Sequence, residues 1–522
     1  MRRLSLVVLG CAASLAFACS RGQSKSAVFA DELRNDAGAS PVAAQSDGGS
    51  PNDLVYPRIA AYFIETYVGP EHEETMSRAD VVVVDVEATA LSAGALQRVR
   101  SNNPRAELLA YLTSEEIPHA IDPEERPLAA ERFGKIAPSE WLVEPGSKTA
   151  AAVSANATRI KVGDPAAFSI VRPRSDFYGE DEPTFLLVGD EHVRLVAIDG
   201  DELVVERGYR STAKAHPAGT RIAAHVVFFA GTWMLNLSAT APKSPAGTTW
   251  RDRLVDDAAA LVANGPWTGV FLDVCFEDIS WLNGGRLDVD ANGKADDPKE
   301  ASKQWSLGMG LAVDALRTRL GDSVPIIANP GGQNCPHPKL DGVLLEGWPI
   351  GLPPEFLSFD KGLERYLSWA PLGRRMTIAN AFSPKIGFGT IAEGADEEAR
   401  TDYAAMRFGL GVALLGDGLY AFDNGVFGHY VTWWYDEYDG AGLGRGWLGR
   451  AKAPFTGDGA VKQREFEHGL VVVNTGTAKA DVAIPPGFTK LAGQQDPQHN
   501  DGAEIRGTLT VAPKDAYVLR RK

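Results

Sequence analysis

Two short runs end in an acid after the same pattern, Gly269-Val-Phe-Leu-Asp273 and Gly342-Val-Leu-Leu-Glu346. A continuous apolar run of this length reads as a buried strand, and an acid at its end would stand between low-dielectric walls. Such walls raise a carboxyl's pKa, as a general acid working near neutral pH requires. Two carboxyls of this kind suit glycosidic bond cleavage. One protonates the leaving oxygen while the other attacks, or activates water, against an oxocarbenium-like transition state. Asp273 and Glu346 are the expected catalytic pair. Asn and Asp bind hydroxyls and aromatic faces stack on sugar rings, so Asp85, Tyr111, Asn329, Trp348, Asp423 and Trp434 are the expected substrate contacts. Glu65, Glu87, Glu115, Glu116, Asn236, Asn380, Trp233, Trp281 and Trp433 complete the inventory near apolar runs. No HExxH, GxSxG or P-loop occurs, which removes the usual signals of zinc hydrolysis, serine hydrolysis and nucleotide chemistry.

A second constellation is Asp288-Val-Asp290-Ala-Asn292-Gly293-Lys294-Ala-Asp296-Asp297. Its oxygen donors fall at the first, third, fifth and ninth positions of a calcium loop of the EF-hand or dockerin kind, with glycine sixth and the Lys294 carbonyl seventh. Lys299 stands at the twelfth position in place of the usual acid, which comes one residue later at Glu300. The expectation is one structural calcium held by Asp288, Asp290, Asn292, Lys294 and Asp296, with no cofactor in the reaction itself.

The elements that must position these residues alternate. Apolar runs at Arg58–Glu65, Ala79–Asp85 and Ala106–Thr113 are separated by helix-compatible stretches, which predicts parallel strands covered on both faces. The rhythm resumes at Thr232–Ser238, Trp267–Asp273, Val324–Asn329, Leu340–Glu346, Met376–Asn380 and Gly418–Asp423, with helices predicted over Trp250–Ala263, Lys303–Leu320 and Ala399–Leu415. These are nine strand candidates for a fold that takes eight. An α/β fold, a (β/α)8 TIM barrel, is the simplest closure, with the segment at Trp233 lying outside the ring. Between Pro145 and Ala223 short β segments and turns replace the rhythm, and from Lys462 onward alternation returns. The expected organisation is a lipoprotein signal at 1–18, a flexible tether at 19–55, the barrel at 56–144 and 224–455, an inserted small all-β domain at 145–223 and a C-terminal β-sandwich at 456–522. The insert resembles small β modules found within bacterial barrels and phage structural proteins, and is expected to be a mobile or binding appendage.

The chain has 522 residues, 44% of them hydrophobic, enough for sizeable cores. A formal net charge of -16 repels phosphate backbones, so nucleic acid is excluded as an expected partner and neutral or cationic ligands are favoured. Arg2 and Arg3 precede a short apolar run ending Ala16-Phe17-Ala18-Cys19, the form of a secretory signal. Its small-x-small-Cys ending resembles the lipobox of bacterial lipoproteins, in which Cys19 would carry the lipid. The expected location is outside the cytoplasm, periplasmic or extracellular, anchored to an outer membrane or cell surface by lipid alone. Beyond the signal only Cys275 and Cys335 remain, which permits one disulfide without implying it. Cys275 reads as a small buried hydrophobe.

The order Ala110-Tyr111-Leu112, Gly269-Val-Phe-Leu-Asp273-Val, Ile327-Ala-Asn329 and Asp341-Gly-Val-Leu-Leu-Glu346-Gly-Trp348 resembles bacterial glycoside-hydrolase-like barrels, above all hypothetical glycosyl hydrolase family fifteen and more distantly the endo-polygalactosaminidase-type barrels. Trp434-Tyr-Asp436-Glu437, Gly446-Trp-Leu-Gly449 and Arg464-Glu-Phe-Glu-His-Gly469 are similar to the barrel end and following sandwich of such proteins. The resemblance implies the barrel, a glycoside hydrolase acting on an extracellular polysaccharide or oligosaccharide, and Asp273 and Glu346 as its pair. A monomer is expected. The rival readings are a non-catalytic glycan-binding lipoprotein on the same scaffold and a structural envelope lipoprotein whose insert docks a protein.

Overall fold

The computed structural model describes residues 54–170, 183–331, 337–349, 357–384, 395–423 and 429–522. The expected signal, tether and Cys19, together with Cys335, lie outside the described residues.

Eight parallel strands form one sheet in chain order: β1 (Ala60–Phe63), β2 (Val81–Asp85), β3 (Glu107–Thr113), β4 (Gly269–Asp273), β5 (Ile326–Ala328), β6 (Gly342–Glu346), β7 (Ile378–Phe382) and β8 (Leu419–Asp423). A parallel bridge between Ile59 and Tyr420 closes the ring, with the Tyr420 N–H donating to the Arg58 carbonyl at 2.9 Å. The chain is a (β/α)8-type barrel, and all eight runs read as barrel strands take their places. The ninth, at Thr232–Met234, pairs antiparallel with Glu116–Pro118 outside the ring. Among the described residues no helix separates β5 from β6.

Side chains in a strand alternate between faces, so the barrel interior collects every second residue. Ala60 and Tyr62, Val81 and Val83, Leu109, Phe271, Ile327, Leu344, Ile378, Leu419 and Ala421 pack there as one apolar plug. Two residues further along their strands stand Asp85, Tyr111, Asp273, Asn329, Glu346, Asn380 and Asp423, a polar ring at the carboxyl-end mouth. The glycine that opens each acid-ending run also has a physical cause. A Cβ on Gly342 would meet Met376 and Thr377 backbone at 2.3 Å, and one on Gly269 would meet the Pro325 carbonyl at 2.5 Å. Gly342→Ala is therefore expected to destabilise the barrel by about 1–3 kcal/mol, the usual range of overpacking, read as a lowered thermal midpoint.

Helix starts follow their caps. Over Trp250–Asn264 the Asp252 carboxylate accepts from the Thr249 backbone N–H at 2.8 Å. The helix expected from Lys303 begins earlier and spans Pro298–Leu320, because Asp297 caps it, accepting from the N–H groups of Lys299 and Glu300, and Pro298 takes a first-turn position. The helix expected over Ala399–Leu415 is two, Ala395–Arg400 and Tyr403–Ala413, parted at Asp402, whose carboxylate accepts from Ser383 Oγ.

Between β3 and β4 a six-stranded antiparallel sheet runs from Ser147 to Ala224. Phe185 and His192 of the sheet and the adjoining Tyr209 and His225 interlock with His119, Phe133, Trp141 and Trp233, with His225 stacked on Trp233 at 3.9 Å between centroids. Aromatic burial on both sides packs the insert against the barrel. After β8, a four-stranded sheet (Val461–Glu465, Gly469–Asn474, Asp515–Arg521, Phe488–Thr489) and a two-stranded one (Ala480–Ala483, Thr508–Val511) close over a shared core of Leu470, Val472, Val482, Leu509 and Val511. No helix of the described residues is long and apolar enough to cross a membrane.

Candidate active site

Asp273, the last residue of β4, and Glu346, the last of β6, stand on either side of Asn329, just beyond β5, on one arc of the mouth. The Asn329 amide donates to Asp273 Oδ1 at 2.8 Å and to Glu346 Oε2 at 3.3 Å. Sharing one donor nitrogen, the two carboxyl oxygens lie within about 6 Å of each other, a reach suited to flanking one glycosidic bond. Tyr111 donates its hydroxyl to the other Asp273 oxygen at 2.5 Å. A chain turn fixes this carboxyl from behind. Val274 takes the left-handed conformation, φ 53°, costly for a β-branched residue. Buried Ser114 Oγ lies 2.8 Å from the Asp273 carbonyl and 2.9 Å from that of Val274, holding the turn.

On the far side of Glu346 stands a residue that no motif announced. His429 places Nε2 3.4 Å from Glu346 Oε1, and its Nδ1 bonds Asp423 Oδ2. Its ring packs on Tyr62 at 4.3 Å. The result is one line of contacts across the mouth: Asp423, His429, Glu346, Asn329, Asp273, Tyr111.

Electrostatics separate the two acids. Burial pushes the Asp273 carboxyl up, against the Tyr111 and Asn329 hydrogen bonds, and the Glu346 charge adds to the rise. Burial acts in the same direction on Glu346, but His429 and Asn329 outweigh it and leave that carboxyl below its ordinary value. Burial would lower the His429 imidazole; Asp423 and Glu346 overcome it and hold the ring at about 10.

The other expected contacts divide. Tyr111, Asn329 and Asp423 join the line across the mouth. Asp85 is buried at its edge, accepting from the Glu87 N–H at 2.9 Å and paired with Arg126 at 3.4 Å. Trp348 does not belong to the mouth: it is buried against Tyr366, and its indole N–H is spent on the Gly409 carbonyl at 3.1 Å, so it has no face to offer a sugar. Trp434 packs edge-on to Tyr438 with the Arg78 guanidinium over its ring at 4.9 Å, and Trp433 carries Arg400 at 4.1 Å. Glu115 and Glu116 also turn inward. The first accepts from the Phe276 N–H and Trp305 Nε1, the second from Thr232 Oγ1, and burial lifts Glu116 to about 8.

At the loop after β4, the side chains of Asp288, Asp290 and Asp296 converge, each offering a carboxylate oxygen within 4.8 Å of the others. Asp288 accepts from the Asn292 and Gly293 N–H groups, and Gly293 has φ 86°. Lys294 contributes its N–H to Asn292 Oδ1. Lys299, at the twelfth position, and Glu300 lie in the first turn of the following helix. Arg221 of the inserted sheet pairs with Asp288 and supplies part of the positive charge. Cys275 is buried, with its Sγ 3.4 Å from Ser114 Oγ.

No curated protein matches the chain. Among solved structures, the GH36 alpha-galactosidase of Geobacillus stearothermophilus is similar at a TM-score of 0.34 and 11% identity, over 90% of this chain and 57% of that one, so this chain spans little more than half of that enzyme's length. The isomaltulose synthase of Klebsiella sp. LX3 is similar at 0.46 and 8%, over 89% of this chain and 99% of that one. The isomalto-dextranase of Arthrobacter globiformis T6, solved with panose, gives 0.37 and 12%, over 91% and 74%. Residues 217–470, which carry β4 to β8 and both strand-end carboxylates, match hypothetical glycosyl hydrolase family 15, the family that the order of motifs resembles.

Proposed function

We propose that this protein is a glycoside hydrolase that cleaves an extracellular polysaccharide or oligosaccharide with Asp273 and Glu346. The observation that carries the reading is the single Asn329 amide bridging two strand-end carboxyls whose pKa values are driven apart. One carboxyl gives its proton to the glycosidic oxygen as the bond to the anomeric carbon breaks, and the other attacks that carbon. Water then attacks the anomeric carbon, its bond to the ester oxygen breaks to free the second carboxylate, and the water's proton passes to the first group. Retention takes carboxyl groups about 5–5.5 Å apart and inversion about 6.5–9.5 Å, so the first anomer formed decides between this course and direct attack by water. The test is incubation with a panel of polysaccharides and aryl glycosides, reading reducing ends and the first anomer formed by proton NMR. Hydrolysis of none, with glycan binding unchanged in Asp273→Asn, would replace the enzyme by the binding protein.

We propose, from the Ala16-Phe17-Ala18-Cys19 ending of the apolar run, that the enzyme works outside the cytoplasm, anchored through a lipid on Cys19. Cys19→Ser should move it from the membrane to the soluble fraction, and retention at the membrane would refute the anchor. The Asp288 loop is proposed to hold calcium through Asp288, Asp290, Asn292, Asp296 and the Lys294 carbonyl. Calcium at a hundredfold above its Kd is expected to add about 2.7 kcal/mol. The thermal midpoint should rise with millimolar calcium in the native chain and barely move in Asp290→Asn. Equal midpoints in calcium and chelator would remove the ion.

A further inference from the structure

Both ring nitrogens of His429 face carboxylates, Nδ1 toward Asp423 and Nε2 toward Glu346. A neutral imidazole has one N–H and one lone pair, so one of these contacts would set a lone pair against an anion. Two N–H donors satisfy both. Among the described residues the groups facing His429 are Asp423 from β8, Glu346 from β6 and the Tyr62 ring from β1; those facing Glu346 are His429, Asn329 and, through Asn329, Asp273. Among the described residues a cation thus stands on one side of Glu346 only, and the donors to the Asp273 side chain, Tyr111 and Asn329, are neutral. Two carboxylates so close do not both ionise easily, and the one beside the cation keeps the charge.

We infer that His429 is a positioning residue, an imidazolium that holds Glu346 as the carboxylate of the pair and thereby leaves the proton on Asp273. Resting on the reading of Asp273 and Glu346 as the reacting pair, it assigns their roles: Asp273 is the general acid and Glu346 the group that attacks. Asp423 then serves the ring rather than a sugar hydroxyl, by orienting Nε2 toward Glu346 and sustaining its charge. This differs from the substrate-binding role expected of Asp423.

Two measurements test it. In the intact wild-type protein, nitrogen-15 NMR of the histidine rings should show His429, assigned by its disappearance in His429→Gln, with both nitrogens protonated at pH 8. A neutral ring there overturns the inference without touching the hydrolase reading. In kinetics on whichever aryl glycoside the wild type hydrolyses, His429→Gln should move the acidic limb of kcat/KM upward by about one pH unit or more, because Glu346 loses its cation. Asp423→Asn should move it the same way by less. A uniform fall in rate with the limb unmoved would mark His429 as merely structural and overturn the inference. A wild type that hydrolyses no glycoside sinks the hydrolase reading instead, and the NMR result still decides the state of His429.

Discussion

Asp273→Asn and Glu346→Gln are each expected to lower kcat/KM on a glycoside with a poor, sugar-like leaving group by about two to four orders of magnitude, the span of general acid–base catalysis, with glycan affinity nearly kept. Both replacements are close in shape, and each keeps an oxygen to accept the Asn329 amide, so the mouth should stay assembled. The two variants should part on leaving group. A substrate with a highly acidic phenol needs little protonation, so Asp273→Asn should retain most of its first-step rate on that substrate and accumulate a glycosyl-enzyme, visible as added mass. Azide should restore turnover by attacking that ester without base assistance. Glu346→Gln, lacking the attacking oxygen, should be slow on every leaving group and form no ester. The opposite pattern would exchange the two roles, and no loss in either variant would remove both from the chemistry.

The strand ends could be read from sequence because burial on both faces of a parallel sheet writes itself as an apolar run, and the barrel requires the reacting groups at the ends of such runs. That is why Asp273, Asn329 and Glu346 meet where Gly269-Val-Phe-Leu-Asp273 and Gly342-Val-Leu-Leu-Glu346 pointed. Trp348 follows the same run by two residues, and proximity in sequence does not say to which side an indole turns; the Gly409 carbonyl took it outward. Glu115 and Glu116 fail for a related reason. Beyond the end of β3 the chain turns into a short strand at Glu116–Pro118 that pairs outside the barrel, and the carboxyls are carried into the wall. His429 left no trace, since it lies six residues past Asp423 outside any apolar run, and only the side-by-side order of β6, β7 and β8 brings it beside Glu346. Val274 reads as one more apolar residue, although its backbone turn aims the carboxyl.

The largest stability effect is expected at Arg407, where the barrel meets the C-terminal sheets. This side chain leaves the helix Tyr403–Ala413 and makes a two-pronged pair with Asp515, at 3.0 and 3.1 Å, and a third bond to Asp496 at 2.6 Å. Arg407 and Asp515 are both buried, so neither charge has water to fall back on. The helix also lies too close to the sheet to shift: a Cβ on Gly411 would meet that of Ala516 at 2.5 Å. Arg407→Met should therefore cost about 3–5 kcal/mol, mostly the penalty of leaving a buried carboxylate unpaired, and lower the thermal midpoint accordingly. Burial already raises the Asp515 carboxyl in spite of Arg407, and losing the guanidinium must raise it further. A carboxyl with a folded pKa above its unfolded one favours the fold at low pH and loses that advantage as pH rises through the unfolded value toward the folded one. The variant's deficit should accordingly be largest near neutrality and shrink as pH falls toward about 4, where Asp515 can be buried as the acid. Replacing both members, Arg407→Met with Asp515→Leu, removes the unpaired charge and should recover most of the loss. If the single and double variants were equally unstable at pH 7, the pair would be holding the barrel to the sandwich by shape rather than by charge.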